Sequence, residues 1–545
     1  MASNKGYQTL AMLLRKKAQL LNAHILHLMF TMAGTLDNPR NDHGTNSHGS
    51  LNSINVHIFR DVLCDLDLWH SAAGDLEKSL FEHFLELITD SGANRNVSHV
   101  RMLRDFSMVE KMLALLKKGD CSTPTVTIQM NVLYGLLCTN PRVSDVLCFA
   151  LFTAATLEDE DERKMEMNND SNNALAKRVI LRNRCLKLFH SLLHSETQVH
   201  TNYCEDMAQV VGFDWVLLFL QEQLHPTSVV WGLRILMTLL SVPPLMVKFR
   251  NGTCNGHWLL KSDNVLNNKM VEALGTGGQG LTGIASKRDI RHEIFHVPGF
   301  QQLNWLMPHH IEIPQVYYIL MAILLGQSKP EMPEEAMNEK MDLDAIWQFI
   351  FDKKPREVTK NSEDCAKICL SAPTMQTVLI MVRSLLNRNQ AQWLEDHPAT
   401  LTQFLFFLYH NVPDFMQTFM NAEVLTALVG TLFPMATVEE SDQEESLTTH
   451  PARKNVMNFM RVVIVDSLSL PSSPKCPPVI DLLIDAKPWC TSTHQQARFQ
   501  TELLAELMDH LLAADVLIGD QAAVPVVSGG HSQYIAPNVF YLASR

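Results

Sequence analysis

The pentad His292-Glu-Ile-Phe-His296 has the HExxH spacing of a zinc hydrolase. On a helix, histidines at i and i+4 share one face and can ligate the metal while the intervening glutamate activates a water. A third ligand must follow, and Glu312 is the candidate. The surroundings argue against the site. Val297-Pro298-Gly299 stops a helix directly after the second histidine, and Pro308 and Pro314 bracket Glu312, so no second helix presents a well-spaced ligand. The pentad reads as a surface turn, and a hydrolase would require stoichiometric zinc that is lost in His296→Ala.

Two further strings match chemical signatures. Gly275-Thr-Gly-Gly-Gln-Gly280 satisfies GxGxxG, but a dinucleotide site needs a strand before it and a helix after it, so that the helix N-terminus faces the pyrophosphate. Here a helical Lys269–Leu274 precedes and a loop follows, which marks a Gly-rich insertion. Trp347-Gln-Phe-Ile350, preceded by Asp342 and Asp344, has the aromatic-x-x-aliphatic form of peptides that add a strand to autophagy-modifier proteins. That mode needs an extended segment, whereas Ile346, Trp347, Ile350 and Phe351 fall at helical spacing and read as core. Trp215 and Trp231 read as core anchors, and His190, His194 and His410 as ordinary helix-face residues. The sequence assigns no catalytic, cofactor-binding or metal-ligating residue and no cofactor, and it leaves the partner-binding residues unidentified.

The elements that would carry any such residue are leucine-rich amphipathic helices. In Leu76–Ile88, for example, Leu76, Leu80, Phe84, Leu87 and Ile88 share one face while Glu77, Lys78 and Glu82 project elsewhere. Periodicity predicts helices near 7–34, 54–69, 75–89, 99–118, 125–139, 142–156, 174–196, 201–224 and 226–241. Others follow near 314–326, 342–352, 373–388, 399–410, 421–433, 452–469 and 493–517. Pro124, Pro226 and Pro373 stand at or near helix starts, where a missing amide proton costs nothing. Ser241-Val-Pro-Pro244 reads as a tight corner between helices. Longer insertions fall at 37–52, 158–173, 251–298, 327–339, 434–449 and 519–532, and residues 469–478 form a proline-rich connector. Such helices cannot bury their apolar stripes singly. No fixed period is present, so irregular helical pairs fit better than ankyrin, TPR or leucine-rich repeats.

Composition narrows the function classes. An apolar fraction of 46% supports a continuous core. The net charge of −13 argues against nucleic acid or an anionic membrane as the main partner. Part of that charge lies in Glu158–Glu162 and Glu439–Glu445, which read as solvated loops. The 11 cysteines are scattered without any CxxC, which fits buried thiols in a reducing compartment. No apolar run approaches the length of a membrane-spanning helix.

Several strings resemble a known family: FRDVLCDLDLW (Phe59–Trp69), SLFEHF (Ser79–Phe84), GFDW (Gly212–Trp215) and LYHNVPD (Leu408–Asp414). Further along stand HPARK (His450–Lys454), FMRVVIVD (Phe459–Asp466), MDHLLAADVLIGD (Met508–Asp520) and NVFY (Asn538–Tyr541). Together they resemble the armadillo-like region of BEACH-family WD repeat and FYVE domain-containing proteins, of the Alfy type or its close paralogue. His310–Tyr317 leans towards the paralogue. The resemblance implies a segment of a very large cytoplasmic scaffold in membrane traffic and selective autophagy. In that family, lipid- and adaptor-binding belong to C-terminal PH-like, BEACH, WD40 and FYVE modules. Neither a paired-cysteine FYVE pattern nor a Trp-Asp dipeptide occurs in this sequence. The chain is accordingly expected to be the upstream region only, ending within a helix at Arg545.

The expected fold is all-α, an irregular armadillo- or HEAT-like α-solenoid of stacked helical hairpins with several long loops. It divides into an N-terminal armadillo-like helical block (1–250), a Gly-rich flexible insertion (251–298), a second helical block (299–433), an acidic loop (434–451) and a truncated C-terminal helical block (452–545). The expected function is a non-enzymatic protein-interaction scaffold in vesicle trafficking or selective autophagy. It would be cytoplasmic, peripheral to endomembranes only through modules outside this chain, with protein partners and neither nucleic acid nor direct membrane insertion. The alternatives are a HEAT-like adaptor or small-GTPase regulator, and the zinc hydrolase of 292–296.

Overall fold

Leucine and phenylalanine at helical spacing, closed off by Gly, Pro or Asn, produce helices throughout the described residues. The computed structural model describes residues 5–35, 55–72, 74–89, 93–138, 140–157, 161–163, 174–194, 203–251, 299–328, 343–351, 372–386, 396–412, 415, 422–433, 451–469, 481 and 497–505. No strand occurs among them. The described residues fall into two units, one through Phe219 and the other from Leu220.

The first unit begins with α1 (Lys5–Lys16) and α2 (Ala23–Ala33). The short α3 (Val56–Ile58) runs on as a π turn, Phe59–Leu63, and is followed by α4 (Leu66–His70) and α5 (Leu76–Thr89). Next come α6 (Ala93–Asp105), α7 (Met108–Lys118), α8 (Thr123–Cys138) and α9 (Val143–Ala154). It closes with α10 (Ala174–Leu193), α11 (Tyr203–Val211) and α12 (Phe213–Leu217). Helices near in sequence pack together: α4 on α5 and α7, α5 on α6 and α8, α7 on α8 and α9, and α8 on α10. This is the all-α, solenoid-like arrangement the periodicity predicts.

The second unit contains α13 (Pro226–Leu240), α14 (Pro243–Asn251), α15 (Gly299–Leu306), α16 (Pro314–Leu324) and α17 (Leu343–Phe351). It continues with α18 (Ala372–Leu386), α19 (His397–Asn411), α20 (Ala422–Gly430) and α21 (Arg453–Ser469). Here α13 packs on α14 and α16, α16 on α17 and α18, and α19 on α17, α18 and α21. Trp347 is buried in this core, its ring 4.5 Å from Phe407 and 5.8 Å from Phe404. The 113° bend between α13 and α14 separates the only two described helices that together approach the length and apolarity of a membrane span, and α13 is buried along most of its length.

Donor side chains fasten neighbouring elements. Helix ends leave carbonyls without intrahelical partners. Arg104 on α6 donates to Leu136 O at 2.8 Å and Asn140 O at 3.0 Å, closing the C-terminal end of α8. Tyr203 OH donates to Leu137 O at 3.2 Å, Trp215 Nε1 to Ala150 O at 2.8 Å, and Lys111 Nζ to Cys64 O at 3.1 Å. The second unit repeats the device: His310 Nε2 meets Leu220 O at 2.8 Å, and Arg383 Nε donates to Phe433 O at 2.9 Å.

Several expectations need correction. The helix predicted over 7–34 is two helices, because the Asn22 side chain accepts from Ile25 N at 3.1 Å and starts α2 afresh. The one predicted over 99–118 begins at Ala93 and breaks at Ser107, which is left-handed at φ 53. The one over 201–224 breaks at Gly212, whose φ of 81 excludes it from a helix. Helices α14 and α15 escaped prediction altogether. Pro243 both closes the corner and occupies the first turn of α14. Trp231 is only half-buried, with the Arg234 guanidinium 4.2 Å above its ring, and His190 is buried rather than on an open helix face.

The largest correction concerns the acidic run. Glu162, read as a solvated loop residue, is fully buried in a bidentate pair with Arg182 of α10; Arg182 Nη1 lies 3.0 Å from Glu162 Oε1. Single-sequence charge counting misses this because the compensating arginine lies twenty residues on, within a helix that carries four other Lys and Arg residues.

Two stability predictions follow from this packing. A Cβ on Gly135 would stand 2.5 Å from Ile88 Cγ2, a stiff β-branched atom, where α8 crosses α5. Overpacking of about 1–3 kcal/mol outweighs a helix-propensity gain of about 1 kcal/mol. Gly135→Ala should therefore lower unfolding free energy in urea titrations, whereas a stabilised variant would show that Ile88 yields freely. Glu162→Ala strands a buried guanidinium and should cost about 3–5 kcal/mol. If that substitution proves neutral in the same titration, the pair is not buried in solution.

Candidate functional site

His, Cys and carboxylate side chains bear most protein chemistry. Among the described residues one group of them, His70, Asp120 and Cys121, brings its ligand atoms within 4.8 Å of one another. Two separate elements deliver it and a third supports it. His70 ends α4, and Glu77 stands in the first turn of α5, where the exposed amides favour a carboxylate. Asp120 and Cys121 follow Gly119, whose left-handed φ of 73 caps α7 and redirects the chain. Lys118 Nζ, 2.6 Å from Asp67 Oδ1, ties α7 to α4 beside the cluster.

The contacts are close. His70 Nδ1 is 3.0 Å from Glu77 Oε2, and His70 Nε2 is 3.0 Å from Asp120 Oδ2. Cys121 Sγ donates to Glu77 Oε1 at 3.5 Å. Gln129, fully buried on α8, donates through Nε2 to Glu77 Oε1 at 3.2 Å and approaches Cys121 Sγ at 3.9 Å. Its Oε1 has no hydrogen-bond partner.

Electrostatics sets the protonation states. Burial pulls the His70 imidazole down, but hydrogen bonds to Glu77 and Asp120, with their charges, leave it above its ordinary value. Asp120 is lowered: burial raises it, and the bond to His70 with the nearby positive charge outweighs that. Burial, the Glu77 charge and the bond to Glu77 push the Cys121 thiol up to about 12. Cys64, Cys148 and Cys185 are also raised to about 12, chiefly by burial. These thiols are protonated at neutral pH and lack the depressed pKa of a nucleophile.

Of the hydrolase candidates read from sequence, the one described residue, Glu312, is not part of this cluster. His292, Glu293 and His296 lie outside the described residues, as do Gly275–Gly280, and Glu312 is exposed near the start of α16. The cluster left no local signature because His70 and Asp120 are 50 residues apart. The nearest hint was a histidine closing one helix with a glutamate opening the next.

No protein-family model matches the chain, and no solved structure matches it. It is 28% identical over 544 residues to WD repeat- and FYVE domain-containing protein 4 of Homo sapiens and 26% identical over 553 residues to that of Mus musculus. Each alignment covers 92% of this chain and 16% of the relative. BEACH domain-containing protein A2 of Arabidopsis thaliana is 22% identical over 291 residues, covering 52% of this chain and 7% of the relative. The resemblance carried by the sequence strings thus extends along nearly the whole chain, while the chain spans 16% of the length of the WD repeat- and FYVE domain-containing relatives.

Two other histidines give each unit a pH response. Burial lowers His83, which stacks 3.8 Å from Phe30, to about 4, with His27 and His99 adding like charge. Glu86, 3.8 Å away and largely exposed, is too well solvated to offset this. Burial likewise lowers His397 to about 4 against a small opposing effect of Asp396. Because each folded value lies below the unfolded one, the unfolded chain binds more protons, and stability is lost as pH falls from about 6.5 towards 4. The loss should approach about 3 kcal/mol per histidine. His83→Gln should flatten this slope for the first unit in pH-dependent denaturation. An unchanged slope would mean His83 is not the group that titrates.

Proposed function

We propose that this chain is a non-enzymatic helical scaffold segment of a BEACH-type protein, acting in the cytoplasm in vesicle trafficking or selective autophagy. The observation that carries the reading is the similarity to WD repeat- and FYVE domain-containing proteins along 92% of the chain, joined to an all-α stack of helices. Stacked helices offer long surfaces that bind proteins without chemistry at any one residue. The described polar side chains fit this role: Arg104, Tyr203, Trp215 and Arg383 hold neighbouring elements. Buried thiols at Cys64, Cys148 and Cys185 suit a reducing compartment. The chain's contribution is surface and length, and its partners are proteins.

The test is capture from cytosolic lysate on the immobilised 545-residue chain at physiological salt, read by mass spectrometry. Reproducible enrichment of vesicle or autophagy machinery, abolished by charge substitutions on one helical face, is the expected result. A partner retained only with one guanine-nucleotide state would instead mark a HEAT-like small-GTPase regulator. Empty capture by folded protein would reduce the segment to a spacer.

A further inference from the structure

We propose that His70, Asp120 and Cys121 form a site for a zinc-class divalent cation, with Glu77 and Gln129 as its supporting shell. An imidazole, a thiol and a carboxylate make a mixed N, S and O donor set, which suits zinc and not the hard oxygen-seeking cations magnesium or calcium.

The separation of His70 and Asp120 fits, with the Cys121 sulfur inside the same 4.8 Å cluster. Zinc bonds nitrogen and oxygen at about 2.0–2.2 Å, so tetrahedral ligands stand about 3.3 Å apart. His70 Nε2 and Asp120 Oδ2 are already 3.0 Å apart, held by a shared proton that the metal would replace. The three ligand atoms converge within 4.8 Å. On binding, Cys121 gives its proton to solvent and ligates as thiolate, and His70 ligates through neutral Nε2. Asp120, with 58% of its side chain exposed, leaves an open side for water as the fourth ligand.

The surrounding residues have the arrangement that metal-bound histidines require. A ligating histidine donates its other ring N–H to a carboxylate, which fixes the ring and its tautomer. Glu77 Oε2 stands 3.0 Å from His70 Nδ1 in that position. Gln129 supplies an N–H 3.9 Å from the Cys121 sulfur, where a thiolate would accept it. The independent pointer is the Oε1 atom of the same amide. It is buried without a hydrogen-bond partner, a costly state for a polar atom, on a side chain whose amide N–H already faces Glu77 and Cys121. The ion would tie the α4–α5 turn to the α7–α8 turn across about fifty residues of chain.

The experiment uses the full 545-residue chain, stripped with chelator and titrated with Zn2+ against a chromophoric competitor, with Co2+ as a spectroscopic replacement. One tight equivalent is expected, and the Co2+ form should show a thiolate-to-metal charge-transfer band with tetrahedral d–d bands. Cys121→Ser should remove the charge-transfer band, and Asp120→Asn, at an exposed position, should weaken binding at least about 100-fold. Glu77→Gln should weaken it about 10–100-fold, as loss of a supporting carboxylate does. Circular dichroism of each metal-free variant confirms folding, and Asp120→Asn keeps the test valid if Cys121→Ser unfolds. Zinc affinity unchanged in Asp120→Asn and Cys121→Ser would overturn the site. So would zinc that is lost in His296→Ala while surviving in Cys121→Ser.

Discussion

An apolar helix face specifies that something must cover it, but not the register in which the cover sits. In this protein the register is fixed by buried and half-buried donors that reach carbonyls on neighbouring elements. Arg104 closes the end of α8, Tyr203 the adjoining carbonyl, Trp215 a carbonyl of α9, and Arg383 the turn after α20. Each such bond adds only about 0.5–1.5 kcal/mol net, yet a stranded buried partner costs about 1–3 kcal/mol. A slipped stack is therefore penalised about twice as much as a correct one is stabilised. The same logic holds Glu162 to Arg182, where burying either charge alone would be prohibitive.

This division of labour bears on function. The polar groups inside the stack join helices, and the thiols there are protonated, so the interior is mechanical. A stack of helices of this kind leaves its outer surface available for binding. The His70 cluster is the described place where groups capable of metal chemistry meet, and it too spans separate elements, linking α4, α5 and the α7–α8 turn. Fastening and chemistry share one geometry here, because a turn that brings two helices together also brings their end residues together.

The fold class was legible because leucine periodicity is local. The faces of α5, α13 and α16 can be read directly, and Pro226 and Pro314 mark the starts of the latter two. Breaks were harder. Ser107 in a left-handed conformation carries no strong sequence mark, and Asn22 inside a helical pattern is as easily read as a surface residue as a cap. Long-range pairing was invisible. Nothing near Glu162 announces Arg182, and nothing near His70 announces Asp120, since both pairings depend on how helices stack. The HExxH string shows the converse: local spacing drew attention to His292–His296, whereas the metal-type cluster in the described structure is assembled from residues with no common motif.

The claim that buried donors set the register is tested most directly by amide hydrogen exchange on Arg104→Met, which keeps the apolar stem and removes the guanidinium. Fastening by Arg104 predicts that protection is lost first at the C-terminal turn of α8 and the start of α9, with α5 retained. Exchange there that matches the unsubstituted chain would mean apolar packing alone holds the helices in place.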